Sequence, residues 1–274
     1  MLNQHEAVFS YTIPYIATSD FEMDELFVSE KTYEKFLHAT KKMPVHLLSG
    51  QLHPIAASYG AVTTSLFDTE KAIIIIGIDD LNEYTSELID ITVAAELEKV
   101  IQHERDDFYR YLYAETTEDY IKTFIDDAQQ TIAEIPIAKR LIKQGYRINK
   151  REQLIAKDLL ANSYHFKSIR HVSPLQNEQA LFLLFKIVYL YFVDEPLFSQ
   201  YKNELQRYYP SLILHVVTII KLIKKINIST AKGQQRALNK IFNHYKYEPL
   251  VKKIMIDEVE VFRLPEEIMK DKNL

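Results

Sequence analysis

The chain has no cysteine and no tryptophan, and only 5 of its 274 residues are glycine. Without cysteine there is no disulfide framework, no thiolate zinc site and no cysteine nucleophile, which suits a reducing cytoplasm. The glycines stand at Gly50, Gly60, Gly77, Gly145 and Gly233, in none of the spacings GxGxxG, GxxxxGK[ST] or GxSxG. Phosphate-cradling loops and nucleophile elbows need backbone positions free of a Cβ, so nucleotide-dependent enzymes and α/β-hydrolases are disfavoured. The opening stretch, MLNQHEAVFSYTIPYIATSDF, lacks a basic region followed by an apolar one, and no secretory leader is expected. The two most apolar runs, LFLLFKIVYLYFV (181–193) and SLILHVVTIIKLIKKI (211–226), fall short of the ~20 residues of a membrane span. Each also carries an internal Lys or His, so a pair of core helices is expected and no transmembrane segment.

What is present is the composition of a soluble globular protein, 47% hydrophobic and 26% charged, long enough for one large domain or two ordinary ones. The net charge of −5 conceals an asymmetry. Residues 1–134 hold 9 Lys+Arg against 25 Asp+Glu, a balance of −16, whereas residues 135–274 hold 24 against 13, a balance of +11. Either the two halves dock and partly neutralise each other, or the basic half meets an anionic partner.

The early part reads as mixed. VFSYTIPYIA has the character of an edge strand carrying Pro14, and SEKTYEKFLHATK (29–41) that of a helix capped by Ser29, with Tyr33, Phe36 and Leu37 on its apolar side. PVHLLSGQLHP (44–54) reads as strand and turn. A hairpin follows, its strands at about 58–66 and AIIIIGI, its turn at Asp68-Thr69-Glu70. From Ser86 to Ala114 the apolar positions recur near the helical period, ending in Phe108, Tyr111 and Leu112. A further helix, with Thr117 as its cap, is expected to stop at Pro136, and IAKRLIKQGY to form a short one stopped by Gly145. A last helix is expected near 230–246, and a short strand at VEVF. The fold class is therefore α+β: a small, acidic N-terminal strand-and-helix region (1–135), then a basic, mainly α-helical region (136–274).

The helix "AELEKVIQHERDD" (95–107) follows the strand AIIIIGI and an acidic loop. That order resembles the HExxH zinc metallopeptidases, the zincins, over about 58–145. There a strand precedes a helix whose two histidines, at i and i+4, meet one zinc while the intervening Glu polarises the metal-bound water. Two registers carry the resemblance. In the first, VAAELEKVI puts Glu96 at the catalytic position and Ala95 and Lys99 at the ligand positions; alanine has no donor and an ammonium repels a cation, so this register implies an inactive scaffold. In the second, His103 and Asp107 are the metal ligands and Glu104 the general base, with Glu134, His165 or His171 as a third ligand. Zinc is the metal the second register would take, and no cofactor is the leading expectation. Against both stands a plain alternative, a helix whose charges simply face water.

A second constellation is basic. Lys221, Lys224, Lys225, Lys232, Arg236, Lys240, Lys246, Lys252 and Lys253 face the single acid Glu248, interleaved with Phe242, His244, Tyr245 and Tyr247. Lys and Arg neutralise phosphates and aromatics stack on bases. Lys224, Lys225, Lys232, Arg236, Lys240 and Tyr245 are thus the candidate contacts of a nucleic acid or another anionic partner. The leading expectation is a cytoplasmic, zincin-like protein with a degenerate metal motif that binds a protein partner; nucleic-acid binding is the alternative, and a divergent metal-dependent peptidase the third.

Overall fold

The structure, a computed structural model, describes residues 9–17, 22–41, 43–49, 63–67, 72–76, 86–103, 109–153 and 171–255. It opens with strands β1 (Phe9–Ala17) and β2 (Met23–Ser29), helix α1 (Glu30–Thr40), and strands β3 (Val45–Ser49), β4 (Thr63–Phe67) and β5 (Ala72–Ile76). Helix α2 (Ser86–His103) follows, then β6 (Tyr109–Tyr113), α3 (Asp119–Lys143), α4 (Glu178–Val193), α5 (Glu195–Tyr208), α6 (Pro210–Ile223), α7 (Ala231–Tyr245) and β7 (Val251–Met255). A further helical stretch spans 148–153. The architecture is α+β, a small N-terminal sheet followed by a mostly helical region. Among the described residues no helix is long and apolar enough to cross a membrane.

The sheet has the order β2-β1-β3-β5-β4. β1 with β2 and β4 with β5 are antiparallel, whereas β1–β3 and β3–β5 are parallel. The hairpin expected around AIIII is the β4–β5 pair. β1 is not the edge strand expected from Pro14. Its pairing with β3 begins only at Tyr15, so Pro14 stands before the ladder that its missing N–H would interrupt. Ser29 caps α1 as expected, accepting from the Thr32 N–H. Tyr33 and Phe36 pack on the sheet core, but Leu37 is exposed.

Three further expectations are corrected. The helix from Ser86 ends at His103, and Tyr109–Tyr113 forms a strand antiparallel to Val251–Met255. YRYLY is rich in residues that suit a pleated surface, but its partner lies far along the chain and leaves no local signal. The strand expected at VEVF lies outside the described residues. α3 does not stop at Pro136 but runs through it to Lys143, unbroken across the expected 135/136 division. Ile132, Ile135, Ile137, Ala138 and Leu141 continue one buried face on both sides of the proline, and this burial outweighs the lost hydrogen bond. Glu118, not Thr117, is the N-cap residue, without a side-chain bond. The chain leaves α3 through Gly145, whose φ of +86° suits glycine.

Two apolar cores result, and α2 belongs to both. Its Ile91, Ala94 and Ala95 join the core built from α3, α4, α5, α6 and α7. Its Val93, Leu97 and Val100 join the sheet core with Ile13, Leu47, Ile74 and Ile76. A helix enclosed on opposite sides is apolar around most of its circumference, which explains the weak amphipathic signature of ELIDITVAAELEKVI. Leu97 is fully buried and Leu214 is 71% exposed. Leu97→Ala is therefore expected to cost about 2–5 kcal/mol in denaturant unfolding, and Leu214→Ala under about 0.5 kcal/mol.

Candidate functional site

Burial of α2 on both sides shields most of its polar residues from bulk water. Glu96 is 2% exposed and Glu98 6%. For Glu96 and Lys99 the expectation of a wet charged face is therefore corrected, since these groups are matched inside the protein; Glu104, Asp106 and Asp107 lie outside the described residues. Asp90 accepts from the Ser29 N–H at 2.7 Å and from its hydroxyl at 2.8 Å, tying α2 to the cap of α1. Glu98 binds Lys35 of α1 and, at 3.1 Å, Nε of Arg140 on α3. On the opposite side Lys99 lies 2.6 Å from Glu96 Oε1 and 3.3 Å from Glu134 Oε1. Gln130 donates to the same Glu134 oxygen at 3.0 Å.

A second cluster adjoins this triad. Glu152, 1% exposed, receives Nη2 of Arg151 at 3.0 Å and the ammonium of Lys186. That ammonium also lies 5.0 Å from the ring centre of Tyr189. The two clusters border a cavity of about 150 Å³. Its polar wall includes Glu96, Lys99, Asp127, Glu134, Arg151 and Lys186. Its apolar wall includes Ile137, Leu141, Ile148, Phe182 and Phe185.

The charges of this wall are set by their neighbours. Burial alone would drive a proton off Lys99, but Glu96 and then Glu134 outweigh it and hold the ammonium above its ordinary value. Burial likewise opposes ionisation of Glu134, and Lys99 overrides it, so the carboxyl stays below its ordinary value. Burial, reinforced by Glu152, pushes the Tyr189 phenol well up. Asp127 differs from its neighbours. Burial first, then Asp126, Glu134 and Glu178, push its carboxyl up to about 7.

Of the residues singled out by the zincin resemblance, Ala95, Glu96 and Lys99 of the first register line the cavity, together with Glu134, one of the three third-ligand candidates given with the second. These side chains do not fit a metal. Ala95 offers no donor, and the Lys99 ammonium stands between the two carboxylates. Among the described residues no group of three or more His, Asp or Glu side chains is arranged to hold an ion. In the second register, Glu104 and Asp107 lie outside the described residues, as does His165. His103 is the last residue of α2, its side chain also outside the description, and His171 is exposed.

The basic candidates sit apart from the cavity. Lys224, Lys225, Lys232, Arg236 and Lys240 are exposed, the last three at i, i+4 and i+8 along α7. Thr230 caps that helix by accepting from Gly233 N–H at 3.1 Å. Gly233 is required there, since a Cβ would lie 1.7 Å from the Asn227 carbonyl oxygen. Tyr245 is half-buried; its hydroxyl pairs with His215 Nδ1 at 3.0 Å and its ring meets Phe124 edge-on at 4.9 Å. Among the described residues, no ion pair involves the basic positions between Lys221 and Lys253.

Asp127, Arg151, Glu152, Lys186 and Tyr189 were not singled out from sequence. One signal existed: Lys186 is the lone charge in LFLLFKIVYLYFV, and a charge on an otherwise buried helix demands a buried counter-ion. No family model, no curated protein and no solved structure matches this chain.

Asp127 gives the site a pH signature. Its value in the folded protein lies above the ordinary 3.8, so folding favours the protonated acid. That contribution is complete below the ordinary value and is lost as pH rises through about 7. Thermal melts between about pH 4 and pH 7 should therefore show the wild type losing stability that Asp127→Asn retains. Parallel profiles for the two proteins would contradict the assignment.

Proposed function

We propose that the chain is a zincin-like scaffold in which the Lys99 ammonium takes the place of a metal ion, and that it acts by binding a protein partner and not by hydrolysis. The observation that carries this reading is the meeting of Glu96, Lys99 and Glu134, with Ala95 beside them on the cavity wall. Two carboxylates that would face a cation on α2 and α3 instead share an internal one. Packing of β5 against α2 through Ile74, Ile76, Val93 and Leu97 adds support, because a strand alongside the helix is part of the resemblance. A dication would have to displace a lysine held charged by both carboxylates, and the Glu96 carboxylate, engaged by Lys99, is not free to take a proton from water. On this reading the protein belongs to the cytoplasm, and zinc is not its cofactor.

Restoring the ligands tests the proposal. Wild-type protein purified without a histidine tag should carry no zinc, whereas the Ala95→His/Lys99→His double variant should take up about one zinc per chain, lost again on adding Glu134→Gln. Stoichiometric zinc in the wild type that disappears with His103→Ala would favour a metallohydrolase using His103, Glu104 and Asp107. Absence of zinc from the double variant would remove the scaffold reading.

A second reading is favoured by the basic surface between Lys221 and Lys253. Glu87 and Glu98 of the acidic half pair with Arg140, Arg147 and Lys150 of the basic half, but among the described residues no such pair reaches that surface. Lys224, Lys225, Lys232, Arg236 and Lys240 are free to contact phosphates, while the ring of Tyr245 is committed to Phe124. Fluorescence anisotropy with single-stranded RNA and duplex DNA at low salt is the measurement. Binding that weakens steeply with salt and is lost in Lys224→Glu/Arg236→Glu/Lys240→Glu is expected; no binding at low salt removes this reading.

A further inference from the structure

The cations bordering the cavity are already matched. Lys99 is shared by Glu96 and Glu134, and Arg151 and Lys186 converge on Glu152. Three cations thus meet three carboxylates, and Asp127 is a further carboxyl, on the wall itself, with no cation of its own among the described residues. Its Oδ2 is buried and has no hydrogen-bond partner among the described residues. The charged groups that act on Asp127 most strongly are all acidic: Asp126 and Glu134 from its own helix and Glu178 from α4. A carboxyl oxygen buried in that position calls for a positive charge and for N–H donors.

The rest of the wall specifies what else the occupant carries. Ile137, Leu141, Ile148, Phe182 and Phe185 are hydrocarbon, and a volume near 150 Å³ matches a ligand the size of one six-membered ring. We propose that this cavity is a binding site for a small organic ammonium ion, with the ammonium on Asp127 and the hydrocarbon against Phe182, Phe185 and Leu141. An anion would find each cation of the wall engaged. A bare metal ion would leave the apolar wall unfilled. A neutral alcohol could donate a hydrogen bond but not the missing charge. The inference goes beyond the scaffold reading and does not rest on it, since it requires only the cavity and Asp127.

Calorimetric titration of the full-length chain with benzylamine and with benzyl alcohol, at pH 7.5, tests the site. Benzylamine is expected to bind once per chain and at least about ten-fold more tightly than benzyl alcohol, a difference of about 1.4 kcal/mol. Asp127→Asn should weaken benzylamine at least about ten-fold and leave benzyl alcohol unchanged. In the wild type alone, benzylamine affinity should rise between about pH 6 and pH 8, because the ionised acid is the partner and the amine stays protonated throughout. Equal affinity for amine and alcohol, no saturable binding of benzylamine, or undiminished binding by Asp127→Asn would each overturn the proposal. Zinc uptake by the Ala95→His/Lys99→His variant is unaffected by these outcomes, so the two ideas fail separately.

Discussion

The structure turns on one helix being buried from two sides. α2 supplies apolar side chains to the sheet core through Val93, Leu97 and Val100 and to the helical core through Ile91, Ala94 and Ala95. Between those stripes most of its polar residues are shielded from bulk solvent. The charges of α2 are therefore answered by fixed partners: Asp90 by the cap of α1, Glu98 by Lys35 and Arg140, Glu96 by Lys99 of the same helix, and Lys99 by Glu134 of α3 as well. Taking an ion out of water costs several kcal/mol, and such pairs roughly offset that cost only when both members stay in place. They contribute less to net stability than to register, since a shift of α1 or α3 along α2 would strand a charge.

The same constraint shapes the cavity. α3 and α4 bring carboxylates and cations to the helical side of α2, and long charged side chains do not pack to the density of aliphatic ones. Two clusters, Glu96–Lys99–Glu134 and Arg151–Glu152–Lys186, close on themselves, and the space between them is left with one acid, Asp127, whose carboxyl sits near neutrality in its titration. A wall that combines a few polar groups with hydrocarbon is the usual form of a small-molecule site. The basic surface of α6 and α7 lies outside this network, and its lysines keep their charge exposed.

Local chemistry carried a large part of the fold. Ser29 before a helix, the β-branched run AIIII, the amphipathic repeats of α3, α6 and α7 and the apolar run of α4 each state their element within a dozen residues, because capping and periodicity are short-range effects. The α+β class follows from their order. The zincin resemblance likewise drew attention to Glu96, Lys99 and Glu134 from element order and local pattern alone.

What only the tertiary structure decided is where long-range partners sit. Tyr109–Tyr113 became a strand because Val251–Met255 lies beside it, and α3 passed Pro136 because burial on both sides outweighed one missing N–H. The charges of AELEK looked like a solvated face because a sequence shows a helix without what covers it. Glu152, Lys186 and Asp127 gained their roles only when α3, α4 and the 148–153 stretch met α2. The sequence determined which residues are charged and which are helical; three-dimensional packing determined which charges lost their water, and a buried charge is fixed by its neighbours in space and not by its neighbours in the chain.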